Sequence, residues 1–341
     1  MQIQMEDVQI GEVILDAVRR YDASMSLVIP ESVHADVNKY LVYPLRNYLH
    51  ASGKRLRPLL CELGCELVGG ERAWVEPVGR AIESFHTAAL IHDDIEDASS
   101  LRRGLPAYHV VEGVSCGINA GDYGLALAFK LLLDCPDYSD GLRLRIVREF
   151  ADTALRTIEG QAVDIGWARD RRFDVAIEEC LFVCEAKSAY YTCAAPLAVG
   201  AIVGGGTDGQ VESLRKAGLS MGVAFQLKDD LLNVEGAEAI TGKDAFSDLV
   251  EGKRTTLVSH ALEHSPRADE LLSILDRGAV EPGDTRLALD ILEEAGSIGY
   301  VQSLMEKLCE DAKSSLMGQF GESAARSTLC VLVDYLKDRM H

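Results

Sequence analysis

The chain has 341 residues, with 34 Lys and Arg against 54 Asp and Glu, for a formal net charge of −20. With 48% hydrophobic and 26% charged residues it has enough apolar side chain to offset chain entropy, which excludes a disordered, collagen-like or low-complexity chain. A sequence pI near 4.8 argues against a general nucleic-acid binder, while a local cluster of Lys and Arg still suits an anionic ligand. The start, Met1-Gln2-Ile3-Gln4-Met5-Glu6-Asp7, lacks the basic and apolar segments of a secretory signal. No uncharged apolar stretch reaches the roughly 18–20 residues that span a bilayer. Residues 193–206 come nearest and carry Pro196. These features read as a cytoplasmic protein with a loosely packed arm at residues 1–30 and a single domain at 31–341.

The first basic element is Gly53-Lys54-Arg55-Leu56-Arg57-Pro58. It opens a helix with cations early in the first turn, where the dipole disfavours them; a bound anion would reverse that penalty. After the Gly69-Gly70 break, Trp74, Val78, Ala81, Ile82, Phe85, Ala88 and Ala89 repeat at helical spacing and predict one long apolar stripe. That helix runs through His86 into His92-Asp93-Asp94-Ile95-Glu96-Asp97. Asp93 and Asp97 lie one turn apart on one face. Four carboxylates among five residues repel one another unless cations neutralise them, and Mg²⁺, which takes a few carboxylates plus water and phosphate, is the fitting ion. Arg102-Arg103-Gly104 follows directly. Carboxylates, a metal and adjacent arginines describe a diphosphate site.

Cys135-Pro136-Asp137 breaks the pattern, and a second helical stripe follows in Val147, Phe150, Ala151, Ala154, Leu155, Ile158, Ala162 and Ile165. Arg169 to Arg172 reads as a charged turn. The nine cysteines include Cys61/Cys65 and Cys180/Cys184 at i, i+4, with no C-x-x-C and no zinc-site spacing, so they read as buried free thiols. Beyond Gly204-Gly205-Gly206 comes a second acidic helix. Gln226, Asp229, Asp230 and Asn233 fall at 0, +3, +4 and +7, on one face. Gly242-Lys243 and Gly252-Lys253 then present two ammonium groups from flexible hinges. If the two aspartate helices face each other across a bundle core, their carboxylates can hold Mg²⁺ around one diphosphate and assist its departure. After Pro282-Gly283-Asp284 the chain stays helical, and Lys337 and Arg339 read as a solvated tail. Strand signals are nearly absent, so the fold class is all-α.

These elements, in this order over roughly residues 50–260, resemble the trans-isoprenyl diphosphate synthases, or polyprenyl synthetases. Within that family the chain looks most like geranylgeranyl diphosphate synthases, on Asp93-Asp94-Ile95-Glu96-Asp97-x-x-x-Leu101-Arg102-Arg103-Gly104-x-Pro106, Gly160-Gln161-x-x-Asp164-Ile165-x-Trp167 and Asp229-Asp230-x-x-Asn233. The resemblance implies a large helical bundle around a central elongation cavity, the isoprenoid synthase fold. It implies condensation of isopentenyl diphosphate with an allylic diphosphate, with a C20 product favoured over C25 or longer. Lys54, Arg57, His86 and Arg103 would hold the isopentenyl diphosphate. Asp93, Asp97 and Asp229 would ligate Mg²⁺, three ions per site, with Asp94 and Asp230 in support. Arg102, Lys187, Ser188, Gln226, Asn233, Lys243 and Lys253 would surround the allylic diphosphate. Phe85, Ala88, Ala89 and Cys135 would set product length, and the enzyme would be a homodimer. Asn233 departs from a third aspartate and Ser188 from threonine; the first keeps a carbonyl acceptor and the second its hydroxyl. A class I terpene cyclase fits poorly, since position 237 is Ala and no Asn, Ser/Thr, Glu series follows. A non-catalytic synthase subunit should have lost metal ligands that this chain retains.

Overall fold

A computed structural model describes residues 2–25, 28–50, 53–235, 253–277 and 283–338. The expected all-α class is what it shows: apart from one two-residue hairpin, the described elements are helices. The chain gathers into two compact units, each with its own contacts.

The first unit comprises Met1–Ala151, Ala195–Leu214 and Phe320–Val331. It contains α1 (Gln2–Met25), α2 (Tyr43–His50), α3 (Leu56–Leu67), α4 (Glu76–Glu96), α5 (Val114–Leu133), the start of α6 (Asp140–Asp170) and α8 (Ala195–Val203). Its core joins Met25, Val42, Leu45 and Leu49 to Ile91, Tyr108, Ala120 and Leu127. α1 adds Met25 to that core, its Ile10 and Tyr21 are also buried, and Arg20 reaches the buried carboxylate of Glu62 at 2.6 Å. Every residue of α8 is buried.

The second unit comprises Asp152–Ala194, Arg215–Gln319 and Leu332–His341. It holds the rest of α6, α7 (Ile177–Val183), most of α9 (Asp208–Glu235), α10 (Thr256–His264), α11 (Ala268–Arg277), α12 (Asp284–Glu294) and α13 (Ser297–Gln319). Between α7 and α8 the stretch Cys184–Ala194 is a wide π-helical turn, the kind of local expansion that often marks a functional segment.

Two apolar patterns sit differently from their sequence reading. Trp74 lies outside α4, in a short 3₁₀ turn (Arg72–Val75), and is exposed; the helix begins only at Glu76, with Pro77 in its first turn. On α6 the buried row is Ile146, Phe150, Thr153, Ala154, Thr157 and Trp167, whereas Leu155, Ile158 and Ile165 point to solvent. Threonines join the core because a helix can satisfy their hydroxyls: Thr157 donates to the Thr153 carbonyl at 2.9 Å. Hydropathy alone follows the more apolar row and misses this one.

All nine cysteines are free and seven are buried. Burial pushes the Cys65 thiol up to about 12 and Cys180 up to about 11, so both behave as small apolar groups at neutral pH. No helix among the described residues is long and apolar enough to cross a membrane.

Candidate active site

In the first unit the basic element divides by side chain. Arg55 stands just ahead of α3 in the left-handed conformation (φ 46°), and its side chain is buried. It donates to Glu83 Oε2 at 2.6 Å, to Asp22 Oδ1 at 2.8 Å and to the Leu49 carbonyl at 2.8 Å. Burial alone would lower its pKa, but the Glu83 and Asp22 carboxylates outweigh that and raise it. Arg55 is therefore a structural ion. Its neighbour Lys54 is exposed and Arg57 half-buried.

α4 carries the first acidic motif and stops where it must. Ala98 takes φ 52°, the Ser99 N–H donates to the Asp94 carbonyl at 2.9 Å, and the Ala98 N–H donates to the Ile95 carbonyl at 3.3 Å. This is a Schellman termination with alanine in the glycine position. Asp93 and Asp97 remain half-buried, one turn apart, whereas Asp94 has no exposed surface.

The chain then forms the hairpin Leu101–Arg102 with Leu105–Pro106. Arg103 and Gly104 both have positive φ (55° and 78°), as a type I′ turn requires. Arg102 ends the first strand and Arg103 begins the turn, and the two guanidinium groups reach different partners. Arg102 donates through Nε to Asp94 Oδ1 at 2.7 Å and through Nη2 to Asp93 Oδ2 at 3.1 Å. Arg103 turns toward the basic element. A Cβ at Gly53 would lie 3.0 Å from its guanidinium, which places Arg103 beside that element. His86 is buried beside them, and its pKa is held well below the ordinary imidazole value by burial and then by Arg57, Arg103, Arg102 and Arg55. His86 is thus neutral within a concentration of positive charge. Arg103, His86 and Arg102 also border a cavity of about 310 Å³.

Below the motif, Phe85 is buried edge-on against Phe150, with ring centroids 5.6 Å apart. Ala88 is buried against α5, where a Cβ on Gly124 would lie 3.1 Å away; Ala89 is half-buried. Cys135 is buried in the turn after α5.

In the second unit, α9 presents Gln226, Asp229, Asp230 and Asn233 as the spacing predicts. Gln226 donates Nε2 to Asp230 Oδ1 at 3.0 Å, which fixes the buried Asp230 and leaves Asp229 half-buried. Asp230, Asn233 and Lys253 line one small recess. Lys253 sits beside two anchors, Arg254, which donates to the Arg172 carbonyl at 2.7 Å, and Thr255, which caps α10. Lys187 and half-buried Ser188 ride on the wide turn. The Lys187 ammonium donates to Asp164 Oδ2 at 2.6 Å. A Cβ at Gly160 would strike the Lys187 backbone at 2.5 Å, so glycine permits α6 to approach. Asp164 as the partner of Lys187, and Tyr48 as a partner of Asp94 at 3.2 Å, are contacts that sequence reasoning missed, as is Glu83 as the partner of Arg55. Spacing offers no signal for Tyr48, while Gly160-Gln161-x-x-Asp164 was a signal without a role. Lys243 and Arg339 lie outside the described residues.

Each unit carries donors that fit Mg²⁺: Asp93 and Asp97 in the first, and Asp229 and the Asn233 carbonyl in the second, offer oxygen from half-buried positions. Among the described residues no group of three or more His, Cys, Asp or Glu is gathered to hold an ion unaided.

Residues 38–292 match the polyprenyl synthetase family. The chain is 35% identical over 333 residues to a short chain isoprenyl diphosphate synthase of Methanothermobacter thermautotrophicus, covering 96% of this chain and 99% of that one. A geranylgeranyl pyrophosphate synthetase from Pyrococcus horikoshii matches with a TM-score of 0.86 at 27% identity, over 96% of this chain and 99% of the other. A geranylgeranyl pyrophosphate synthase from Corynebacterium glutamicum, complexed with isoprenyl diphosphate and magnesium, matches with a TM-score of 0.84 at 31% identity, over 97% and 99%. The chain belongs to the polyprenyl synthetase family and is a prenyltransferase.

Proposed function

We propose that this chain condenses isopentenyl diphosphate with dimethylallyl, geranyl or farnesyl diphosphate to make linear all-trans geranylgeranyl diphosphate. The observation that carries this reading is the cavity of about 310 Å³ bordered by Arg102, Arg103 and His86, a basic pocket suited to a diphosphate. Arg57, Arg103 and Lys54 bind the isopentenyl diphosphate, and His86 donates a hydrogen bond to it. Lys187, Ser188, Gln226, Lys253 and Arg102 meet the allylic diphosphate; Lys243 is assigned to the same group from its motif. Asp93, Asp97 and Asp229 hold Mg²⁺, three ions per site, with Asp94 and Asp230 fixing their neighbours. Mg²⁺ held by these carboxylates would supply positive charge to the leaving diphosphate. The isopentenyl double bond forms the new carbon–carbon bond, and the proton lost from its C2 goes to the departing diphosphate. The apolar face of α4 keeps water from the allylic cation.

Incubating the purified chain with Mg²⁺, isopentenyl diphosphate and each allylic starter, then chromatographing the dephosphorylated products, should give a linear C20 alcohol. EDTA should abolish the product and added Mg²⁺ restore it. No product with any starter, or a cyclic terpene, would sink the reading; a longer linear alcohol would correct only the chain length. Phe85 is the proposed floor. Phe85→Ala should lengthen the main product and Ala89→Phe shorten it, read on the same chromatogram. Ala88→Phe should also shorten it, but at a stability cost of about 1–3 kcal/mol, because the ring must displace α5. Unchanged lengths in all three would remove the floor assignment.

The proposed assembly is a cytoplasmic homodimer. Its support is the exposed apolar row Leu144, Leu155, Ile158 and Ile165 along α6, a surface that monomers seldom leave in water. Free, buried thiols fit a reducing compartment. A solution mass near twice 37.1 kDa checks the dimer.

A further inference from the structure

We propose that Tyr48 is a positioning residue for prenyl transfer, acting through Asp94 and Arg102 to place the carboxylate of Asp93. This rests on the functional reading above. Asp94 has no exposed surface, and its two oxygens are taken by groups from different elements. Oδ1 accepts from Arg102 Nε at 2.7 Å, and Oδ2 lies 3.2 Å from the Tyr48 hydroxyl. The Arg102 guanidinium that grips Asp94 is also 3.1 Å from Asp93 Oδ2. One buried carboxylate thus ties α2 to the hairpin arginine, and that arginine ties both to the half-buried Asp93. Removing the phenol leaves Asp94 free to turn about its Arg102 bond, and Arg102 then shifts against Asp93.

The ring itself is firmly seated. It meets Tyr108 edge-on at 5.6 Å and 82°, and Tyr108 belongs to the core that also holds Leu45, Leu49 and Ile91. The hydroxyl stays a donor, because burial and then the Asp94 carboxylate push its pKa well above the ordinary phenol value. Tyr48 does not touch the reacting atoms in this scheme; its effect reaches them through two other side chains.

Tyr48→Phe keeps the ring and removes only the donor. We expect kcat to fall about 10- to 100-fold, with the KM for isopentenyl diphosphate within about twofold and the melting temperature near that of the parent. The Mg²⁺ concentration for half-activation should rise. Equilibrium binding of an unreactive allylic thiolodiphosphate in Mg²⁺, read by calorimetry without turnover, should weaken by a similar factor. In an Arg102→Lys background the same change should cost little, since the path through Arg102 is already cut. The proposal is overturned if kcat and analogue affinity both stay within about twofold. It is equally overturned if the two substitutions add fully, or if the melting temperature falls while kcat does not. Failure of the underlying reading looks different: the parent chain itself would then form no prenyl product.

Discussion

Arg55→Met should cost about 3–5 kcal/mol of stability, and its neighbour Arg57→Met almost none. The difference follows from where each guanidinium ends. Arg55 and Glu83 are each only 3% exposed, and methionine there would leave the Glu83 carboxylate buried without its nearest counter-charge. Asp22, at 36% exposure, can recover water and adds little. Thermal unfolding followed by circular dichroism should show a fall of roughly 5–10 °C for a chain of this size. Glu83→Gln in the same protein should recover part of the loss, because the stranded charge is then gone. Arg57→Met should keep the parent melting temperature and instead raise the KM for isopentenyl diphosphate about 10- to 100-fold, the value of a lost charged hydrogen bond. Equal melting temperatures for the two variants would refute the division of labour between these arginines.

The second large effect concerns the two acidic helices. Asp93→Asn and Asp229→Asn should each lower kcat about 10²- to 10³-fold, by removing a negative oxygen from the proposed Mg²⁺ shell. Folding should hardly change. Asp93 is 25% exposed, its partner Arg102 is 29% exposed, and such half-solvated pairs contribute under about 1 kcal/mol. If both aspartates serve one metal cluster, the double variant should lose little more than either single one. Single-turnover rates and circular dichroism check the two halves of this expectation. Losses that multiply would mean that the two motifs act in separate steps.

Much of this was legible because helices write their faces at fixed spacing. Asp93 with Asp97, and Asp229 with Asn233, could be paired from numbers alone. The long α4 was legible too, except at its start, where Trp74 is apolar by type but lies before the helix. What stayed hidden depends on partners remote in sequence. Nothing in Lys54-Arg55-Leu56-Arg57 tells which arginine will meet Glu83, since that choice rests on one left-handed residue and a carboxylate 28 positions away. The buried face of α6 differs from its hydropathy because Thr153 and Thr157, polar by composition, pack inward, with the Thr157 hydroxyl donating to the helix backbone. Lys187 was found by resemblance, while its ion partner Asp164, 23 residues earlier, was seen only as part of a motif.

The π-helical stretch Cys184–Ala194 has a consequence of its own. A turn that wide accommodates a surplus residue, so everything downstream is out of phase with the helix upstream. Deleting one residue there would let the segment tighten and swing the Lys187 ammonium by about 100° away from Asp164, with helix content almost unchanged. The bearing of that charge is therefore encoded in chain length, and a scan that exchanges residues one for one would leave it invisible.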